Sequence, residues 1–313
     1  MESTNEKTKE WEIFKEFQVP RCKDVEMFQT FLDEVEFGDC SFTSIYAWQQ
    51  GKLQYTYKTY KDIIAVLERD IDGTLAVMLL HKKNTDITLV VKNLYEMFYK
   101  LQLTLRFKYV SECEFDIYRK AAWEIGKSTV FDNNVNSNDY IYETAEFLSL
   151  TGNSNKGKRG GLNHLMREYP DISMVSHSHN RDLLEPAIEV FDSWCKKHKC
   201  ENCVYGCEKK AFLRFMEVFD EKKHRLCMAY SNGKPLSFAA SERIRTDTVC
   251  YYFQKNAVPT RGLTYWLNRE MALEHAKIKY INLGEDMGLS GLREDKTSLH
   301  PCFIKPKYSV EIL

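Results

Sequence analysis

Two turn signals, Asp72-Gly73 and Asn232-Gly233, constrain the fold of this chain more than any other feature in it. Each sits between short runs rich in aromatic and β-branched residues. A two-residue turn of this type joins antiparallel strands because its left-handed backbone matches their twist. The first joins strands expected at residues 62–68 and 74–80, with a third at 54–60 before them. The second joins strands expected at 225–230 and 235–245, and a turn at Arg245-Thr246-Asp247 leads to another at 248–255. Each meander is followed by a helical pattern, at 87–101 and from Leu263 onward, and then by one more strand, at 104–110 and 280–283. No sequence repeat is visible, yet the order of elements recurs. An antiparallel meander, a helix and a further strand specify an α/β fold with mixed sheets.

The remaining elements are read from periodicity and caps. Val25, Phe28, Phe31, Leu32 and Val35 form one apolar stripe, predicting a helix over residues 24–37 that Gly38 ends, and a short helix follows at 40–50. Ser111 and Glu114 have capping-box spacing and open a helix running to Ala122. Residues 131–139 are polar, rich in Asn and aperiodic, and are taken as the join between domains at 1–133 and 134–313. Helices are expected at 181–197 and 208–220 in the second half. At 313 residues the chain is long enough for two cores, and 43% hydrophobic content places it among globular proteins. A formal net charge of -1 excludes a globally basic nucleic-acid binder, so any RNA contact needs a local patch. The charged start, residues 1–10, has no apolar segment, and no later run reaches the length of a membrane span. The expectation is a soluble, cytoplasmic protein without a transmembrane segment.

Ten cysteines without a secretory signal are expected to be reduced thiols. Cys195, Cys200, Cys203 and Cys207 are crowded together, whereas zinc ribbons place two cysteine pairs a dozen or more residues apart. Cys195 also continues the apolar face of Leu184, Ile188, Phe191 and Trp194, so the cluster is expected to be metal-free. His177 and His179 have no third ligand in sight and are read as strand or loop residues.

Residues 280–296 concentrate the groups that chemistry needs. A strand at 280–283 is followed by Gly284, Gly288 and Gly291, which permit tight turns and place Glu285 and Asp286 at the strand's C-terminal end. Arg293 and Lys296 follow one helical turn apart, giving a compact acid and base constellation; the alternative is a solvated turn before a surface helix. On the strand at 235–245, Glu242 shares a face with Leu236, Phe238, Ala240 and Ile244, where a carboxylate must be paired or functionally tuned. Arg261 and Gly262 precede the helix from Leu263, whose free amides suit an anion, although a plain cap accounts for them equally. Lys158 and Arg159, in a Gly-rich segment with Asn163, are suited to phosphates or to a solvated face.

Several of these segments together resemble a known family. Asp139-Tyr140-Ile141-Tyr142, Lys158-Arg159 with Asn163, Glu168-Tyr169-Pro170, Gly233-Lys234-Pro235, Arg261-Gly262 with Asn268, Tyr280-Ile281-Asn282, and Gly291-Leu292-Arg293 with Lys296, Ser298 and Pro301 resemble the C-terminal domain of phosphatidylglycerol lysyltransferases. The resemblance covers nearly the whole chain and is strongest from Tyr140 to Tyr308. It implies two tandem GNAT-like (acyl-CoA N-acyltransferase) domains, with the active site in the second and without the family's membrane part. It also departs from the pattern: Gly160 follows Lys158-Arg159 in place of Asn, Gln254 replaces a Glu, and Leu283-Gly284 replaces Arg-Glu.

The function implied by the resemblance is acyl or aminoacyl transfer. The first expectation is an aminoacyltransferase using aminoacyl-tRNA as donor and a small-molecule, peptide or lipid-headgroup amine or hydroxyl as acceptor, with no permanently bound cofactor. An acyl-CoA-dependent N-acyltransferase and a non-catalytic binding module are the alternatives. Glu285, Asp286 and Glu242 are the candidate bases. Arg293 and Lys296 are assigned to donor phosphate or oxyanion, Lys158, Arg159 and Asn163 to RNA or nucleotide, and Arg261 with Gly262 to an anion. A coenzyme A enzyme of this fold uses a Gly-rich loop before the helix that follows the meander, whereas Pro259-Thr260-Arg261-Gly262-Leu263-Thr264 holds one glycine. That favours tRNA.

Overall fold

The computed structural model describes residues 12–30, 35–177, 181–198 and 206–313. In chain order the first elements are α1 (Val25–Gln29), α2 (Phe42–Trp48), β1 (Gln54–Tyr60), β2 (Ile63–Arg69), β3 (Leu75–His81), α3 (Thr88–Lys100), β4 (Arg106–Val110), α4 (Phe115–Glu124) and β5 (Thr129–Asn133). Next come β6 (Asp139–Glu143), α5 (Thr144–Leu148), α6 (Lys156–Glu168), β7 (Ser173–His177), α7 (Leu184–His198) and α8 (Glu208–Glu217). The last are β8 (His224–Ser231), β9 (Lys234–Arg243), β10 (Thr248–Asn256), α9 (Leu263–Glu274), β11 (Tyr280–Asn282), α10 (Ser290–Ser298), β12 (Phe303–Lys305) and β13 (Tyr308–Ile312).

These elements form two compact α/β units. The first comprises Met1–Asn138, Val204–Val218 and Pro306–Leu313, and the second Asp139–Cys203 and Phe219–Lys305. A division at 133/134 assigns α8 and β13 to the second half, whereas both pack in the first unit. Each unit has one mixed sheet, in the orders β1-β2-β3-β4-β13-β5 and β12-β6-β11-β10-β9-β8-β7. In each, an antiparallel meander is followed by a crossover helix and a parallel strand: β3 with β4, and β10 with β11. This recurrence gives the mixed α/β fold two tandem units of like element order.

The first sheet is covered on both faces, so β2 is a continuous apolar run rather than an alternating one. Ala65, Leu67, Val77 and Phe107 pack with Leu94 and Phe98 of α3 and Tyr118 of α4. Ile64, Val66 and Met78 face Phe28 of α1 and Phe42 of α2. Each fully buried Phe or Leu contributes roughly 2–3 kcal/mol of transfer free energy. Both signals join antiparallel strands, but in different ways: Asn232 and Gly233 both adopt positive φ, 48° and 71°, in a two-residue turn, whereas Asp70 N–H donates to Thr74 O at 2.9 Å, leaving residues 71–73 as the loop, with positive φ at Gly73 alone and Thr74 N–H donating to Asp72 Oδ1 at 2.8 Å.

Two expectations change. Within the stretch expected as one helix over 24–37, α1 covers Val25–Gln29, Gly38 begins a 3-10 turn rather than ending a helix, and residues 31–34 lie outside the described residues. The join expected at 131–139 does hold the boundary between the units, after Asn138, but it takes in the end of β5 and the start of β6, because Phe131 of β5 pairs with Val310 of β13. That partner is remote in sequence, so no local pattern marks it.

Tyr109 carries φ of 57°, a left-handed conformation that costs an aromatic residue about 1–3 kcal/mol. Two ammonium groups hold its ring, Lys108 Nζ at 4.4 Å and Lys307 Nζ at 5.5 Å from the centroid. Lys307 is 4% exposed and pairs with Asp39 Oδ2 at 2.6 Å. Asp39→Ala leaves that ammonium buried without its carboxylate. Because a third of the Asp39 side chain is in water, the expected loss is about 2–3 kcal/mol rather than the larger value for a fully buried pair. Chemical denaturation measures it, and Asp39→Ala with Lys307→Met is expected to recover most of the loss.

Candidate active site

The candidate residues lie in the second unit, around the C-terminal end of β11. This strand lies inside its sheet, between β6 and β10. Its Asn282 is 1% exposed; the side-chain amide donates to Asp139 Oδ2 at 2.7 Å, and Oδ1 accepts from Gly284 N–H at 2.7 Å. That bond starts the turn out of the sheet. Positive φ at Gly284, Met287 and Gly288, 71°, 55° and 73°, then brings Asp286 back beneath β6.

Asp286 is 1% exposed and its carboxylate is fully engaged. Arg293 donates from Nε to Oδ2 at 2.7 Å and from NH2 to Oδ1 at 2.9 Å, a bidentate pair. Tyr140 Oη donates to Oδ2 at 2.7 Å and Gly288 N–H to Oδ1 at 2.8 Å. Arg293 is the main cause holding the Asp286 carboxyl well below the usual carboxylate range, against the opposing effect of desolvation. Asp286 is therefore an anchor rather than a base. The Arg293 side chain keeps 45% of its surface in water, so the pair presents an oriented guanidinium at the strand end.

The other cations near this corner serve the backbone. Lys296 Nζ donates to Leu283 O at 2.7 Å and to Glu285 O, and its own carbonyl accepts from Tyr142 Oη at 2.7 Å. Lys158 reaches from α6 to Leu299 O at 3.2 Å, just past the end of α10, with Tyr265 beneath its ammonium at 5.4 Å. Burial lowers the Lys158 pKa. Arg159 NH1 donates to Leu150 O and to Gly152 O at 2.7 Å. Lys158 and Arg159 thus brace loops and helix ends, and Asn163 is exposed on α6. Glu285 is half-buried at the strand end.

Glu242 does not join this group. Ile141, Asn282, Cys250, Glu242 and His224 are in register across β6, β11, β10, β9 and β8, so their side chains leave one face of the sheet. Tyr140, Val249 and Ile281 leave the other and pack with Tyr265 and Ala272 of α9. The expectation that Glu242 shares a cleft with Asp286 fails on this alternation. Glu242 is 1% exposed, accepts from Tyr252 Oη at 3.0 Å and lies 3.6 Å from His224 Nε2.

Gly262 opens α9 with φ of 91°, and a Cβ there would stand 2.3 Å from Gly161 O. The one glycine of the Pro259–Thr264 segment therefore serves the close approach of α6 to α9, and the exposed Arg261 lies over Gly160. Sequence reasoning missed Asp139, Tyr140 and Tyr142 as site residues. The signal was the alternation in residues 139–143, which puts both tyrosines on one face. Cys200, Cys203 and His179 lie outside the described residues. Among the described residues no group of three or more His, Cys, Asp or Glu is arranged to hold a metal, and no helix is long and apolar enough to cross a membrane.

Comparison with known proteins agrees with this architecture. Residues 35–311 match the family model described as phosphatidylglycerol lysyltransferase, C-terminal. A conserved protein of unknown function from Bacteroides thetaiotaomicron superposes with a TM-score of 0.82 at 22% identity, covering 95% of this chain and 99% of that one. L-PGS from Bacillus licheniformis superposes with a TM-score of 0.65 at 16% identity, covering 94% and 92%. An uncharacterised protein of Mycoplasmoides gallisepticum is 24% identical over 195 residues, 61% of this chain and 61% of that protein, so the match spans less than two thirds of the relative's length.

The Asp286 pair has a pH signature. Its folded pKa lies below the unfolded value near 3.9, so its stabilisation is complete above that value and is lost as pH falls toward the folded pKa. Asp286→Asn is expected to lower Tm most at neutral pH, with the gap to the wild type closing below about pH 4. Thermal scans from pH 7 to pH 2.5 check this; a gap independent of pH excludes it.

Proposed function

Since the chain belongs to the phosphatidylglycerol lysyltransferase C-terminal family, whose fold it shares, we propose that it is an aminoacyltransferase working in the cytoplasm, with aminoacyl-tRNA as donor and an amine or hydroxyl as acceptor. The acceptor's nitrogen or oxygen attacks the aminoacyl ester carbonyl, and a new C–N or C–O bond forms. The ester C–O bond to the tRNA terminal ribose breaks. The acceptor's proton passes to a base, and the ribose oxygen leaves with a proton. Because the ester is already activated, positioning and charge stabilisation carry most of the catalysis. Glu285 is the base or amine anchor at the strand end. Arg293, held by Asp286 and Tyr140, meets the donor's phosphate or the developing oxyanion. Lys296 and Lys158 are positioning residues that hold α10 to the strand end.

The observation that carries the choice of donor is the Gly161–Gly262 approach. A pyrophosphate cradle needs exposed backbone amides at a helix start, and at α9 the only glycine of that turn faces Gly161. This supports tRNA over coenzyme A. A lipid headgroup fits the family's name, and a peptide or small-molecule amine fits the same chemistry.

Fluorescence anisotropy with charged tRNA tests the reading. Binding is expected to weaken with salt, and Arg293→Ala to reduce the log–log salt slope by about one. Glu285→Gln is expected to slow transfer about 10²- to 10⁴-fold with tRNA affinity unchanged. Tight acetyl-CoA binding without tRNA affinity overturns the proposal.

A further inference from the structure

In the first unit, α8 carries a guanidinium whose position is fixed while most of its donors stay unused. Arg214 donates from Nε to Tyr46 O of α2 at 2.7 Å, and its guanidinium carbon lies 4.1 Å from the centroid of the Tyr46 ring. Phe42 stacks on that ring at 5.7 Å with an interplanar angle of 17°, so the platform is itself held. An arginine stacked in this way is preorganised and loses little further freedom on meeting a ligand. Its two terminal nitrogens remain available, because among the described residues Arg214 forms no ion pair with a carboxylate.

Arg214 lines a cavity of about 350 Å³, within the range of roughly 300–1,000 Å³ of small-molecule sites. Arg21 is a second guanidinium on the lining, exposed and likewise without an ion pair among the described residues. Two carboxylates in the neighbourhood serve other donors: Asp24 Oδ2 accepts from Arg21 N–H at 2.8 Å, and Glu217 Oε2 accepts from Tyr46 Oη. Gln49, which follows α2, adds a third polar group. Its Oε1 is turned away from water and accepts no hydrogen bond, so its amide NH2 is the end left to the cavity. Burying Oε1 without a donor is costly, and a free amide would turn to hydrate it. An acceptor in the cavity for the NH2 group offsets that cost.

The polar groups offered to this cavity are therefore donors, two of them cationic, which selects an oxyanion. A carboxylate brings one charge and two oxygens, enough for a single guanidinium. A phosphate monoester brings about −1.5 to −2 charges at pH 7 and three free oxygens, matching two guanidiniums and an amide. The volume exceeds what a bare phosphate fills, and Val19 and Pro20 supply apolar surface for the rest of a ligand. We infer that this cavity of the first unit binds the phosphate monoester of a small organic molecule, its phosphate oxygens accepting from Arg21, Arg214 and the Gln49 amide.

The test uses the full chain at low salt, with phenyl phosphate as probe and phenylacetate and inorganic phosphate as controls. Calorimetry and saturation-transfer NMR are expected to show about millimolar binding of phenyl phosphate, with phenylacetate at least tenfold and inorganic phosphate at least threefold weaker. Arg21→Ala, at an exposed position, is expected to weaken the probe at least tenfold. Gln49→Glu, which keeps the side chain's shape and turns the donor into an anion, should do the same while circular dichroism and Tm are retained. The exposed Cys22 lies on the lining, so phenyl phosphate should slow its alkylation by iodoacetamide, read by peptide mass spectrometry, and leave the exposed Cys113 unaffected. No binding of phenyl phosphate, equal binding of either control, unchanged binding in the folded variants, or no protection of Cys22 overturns the proposal. Arg21 has no part in the transfer chemistry, and the readout is binding in the first unit, so failure here leaves the transferase reading untouched.

Discussion

Asp286 is a carboxylate with almost no contact with water, and the geometry of the β11 corner follows from the need to keep its charge compensated. A buried, ionised carboxylate without partners costs several kcal/mol. Four donors converge on this one: two from Arg293, one from Tyr140 and one from Gly288. Satisfying them fixes the rotation of α10 about its axis, which in turn delivers Lys296 to the carbonyls at the strand end and its own carbonyl to Tyr142. The result is rigidity where transfer chemistry needs it, since a reacting ester must be held to within a fraction of an ångström.

The same economy explains why charge was a poor guide to contact with a substrate. Lys158, Arg159 and Lys296 read in sequence as cations waiting for phosphate, yet each meets backbone carbonyls near a helix end or in a loop. The last carbonyls of a helix lack intrahelical donors, and a lysine folded over an aromatic ring can supply one while burying its own stem. Sequence shows that a cation is present; only packing shows which acceptor reaches it first.

Much of the architecture was nevertheless legible. The Asp72-Gly73 and Asn232-Gly233 turns, the capping box at Ser111 and the strand at Tyr280 depend on neighbours within a few residues, and these stand as read but for the extra residue in the first turn. Glu242 shows where such reading stops. Its placement on an otherwise apolar face followed from strand alternation within β9, but which carboxylates share that face is set by register across five strands, and register between non-adjacent segments leaves no trace in local periodicity. The polar stretch at 131–139 does hold the boundary between the units, after Asn138, but its strand content was hidden for the same reason, since Thr129–Asn133 becomes a strand only when β13 lies beside it.

That strand has a consequence for how the protein is made. β13 lies between β4 and β5, so the first unit's sheet has a gap in its interior until residues 308–312 are available to fill it. On the ribosome the strands on both sides of the gap are synthesised long before their common neighbour, and they present two unpaired edges throughout synthesis of the second unit. Unpaired edges invite pairing with other chains. For this sheet vectorial synthesis and folding are out of step: β4 and β5 wait for a neighbour that is made only after the second unit.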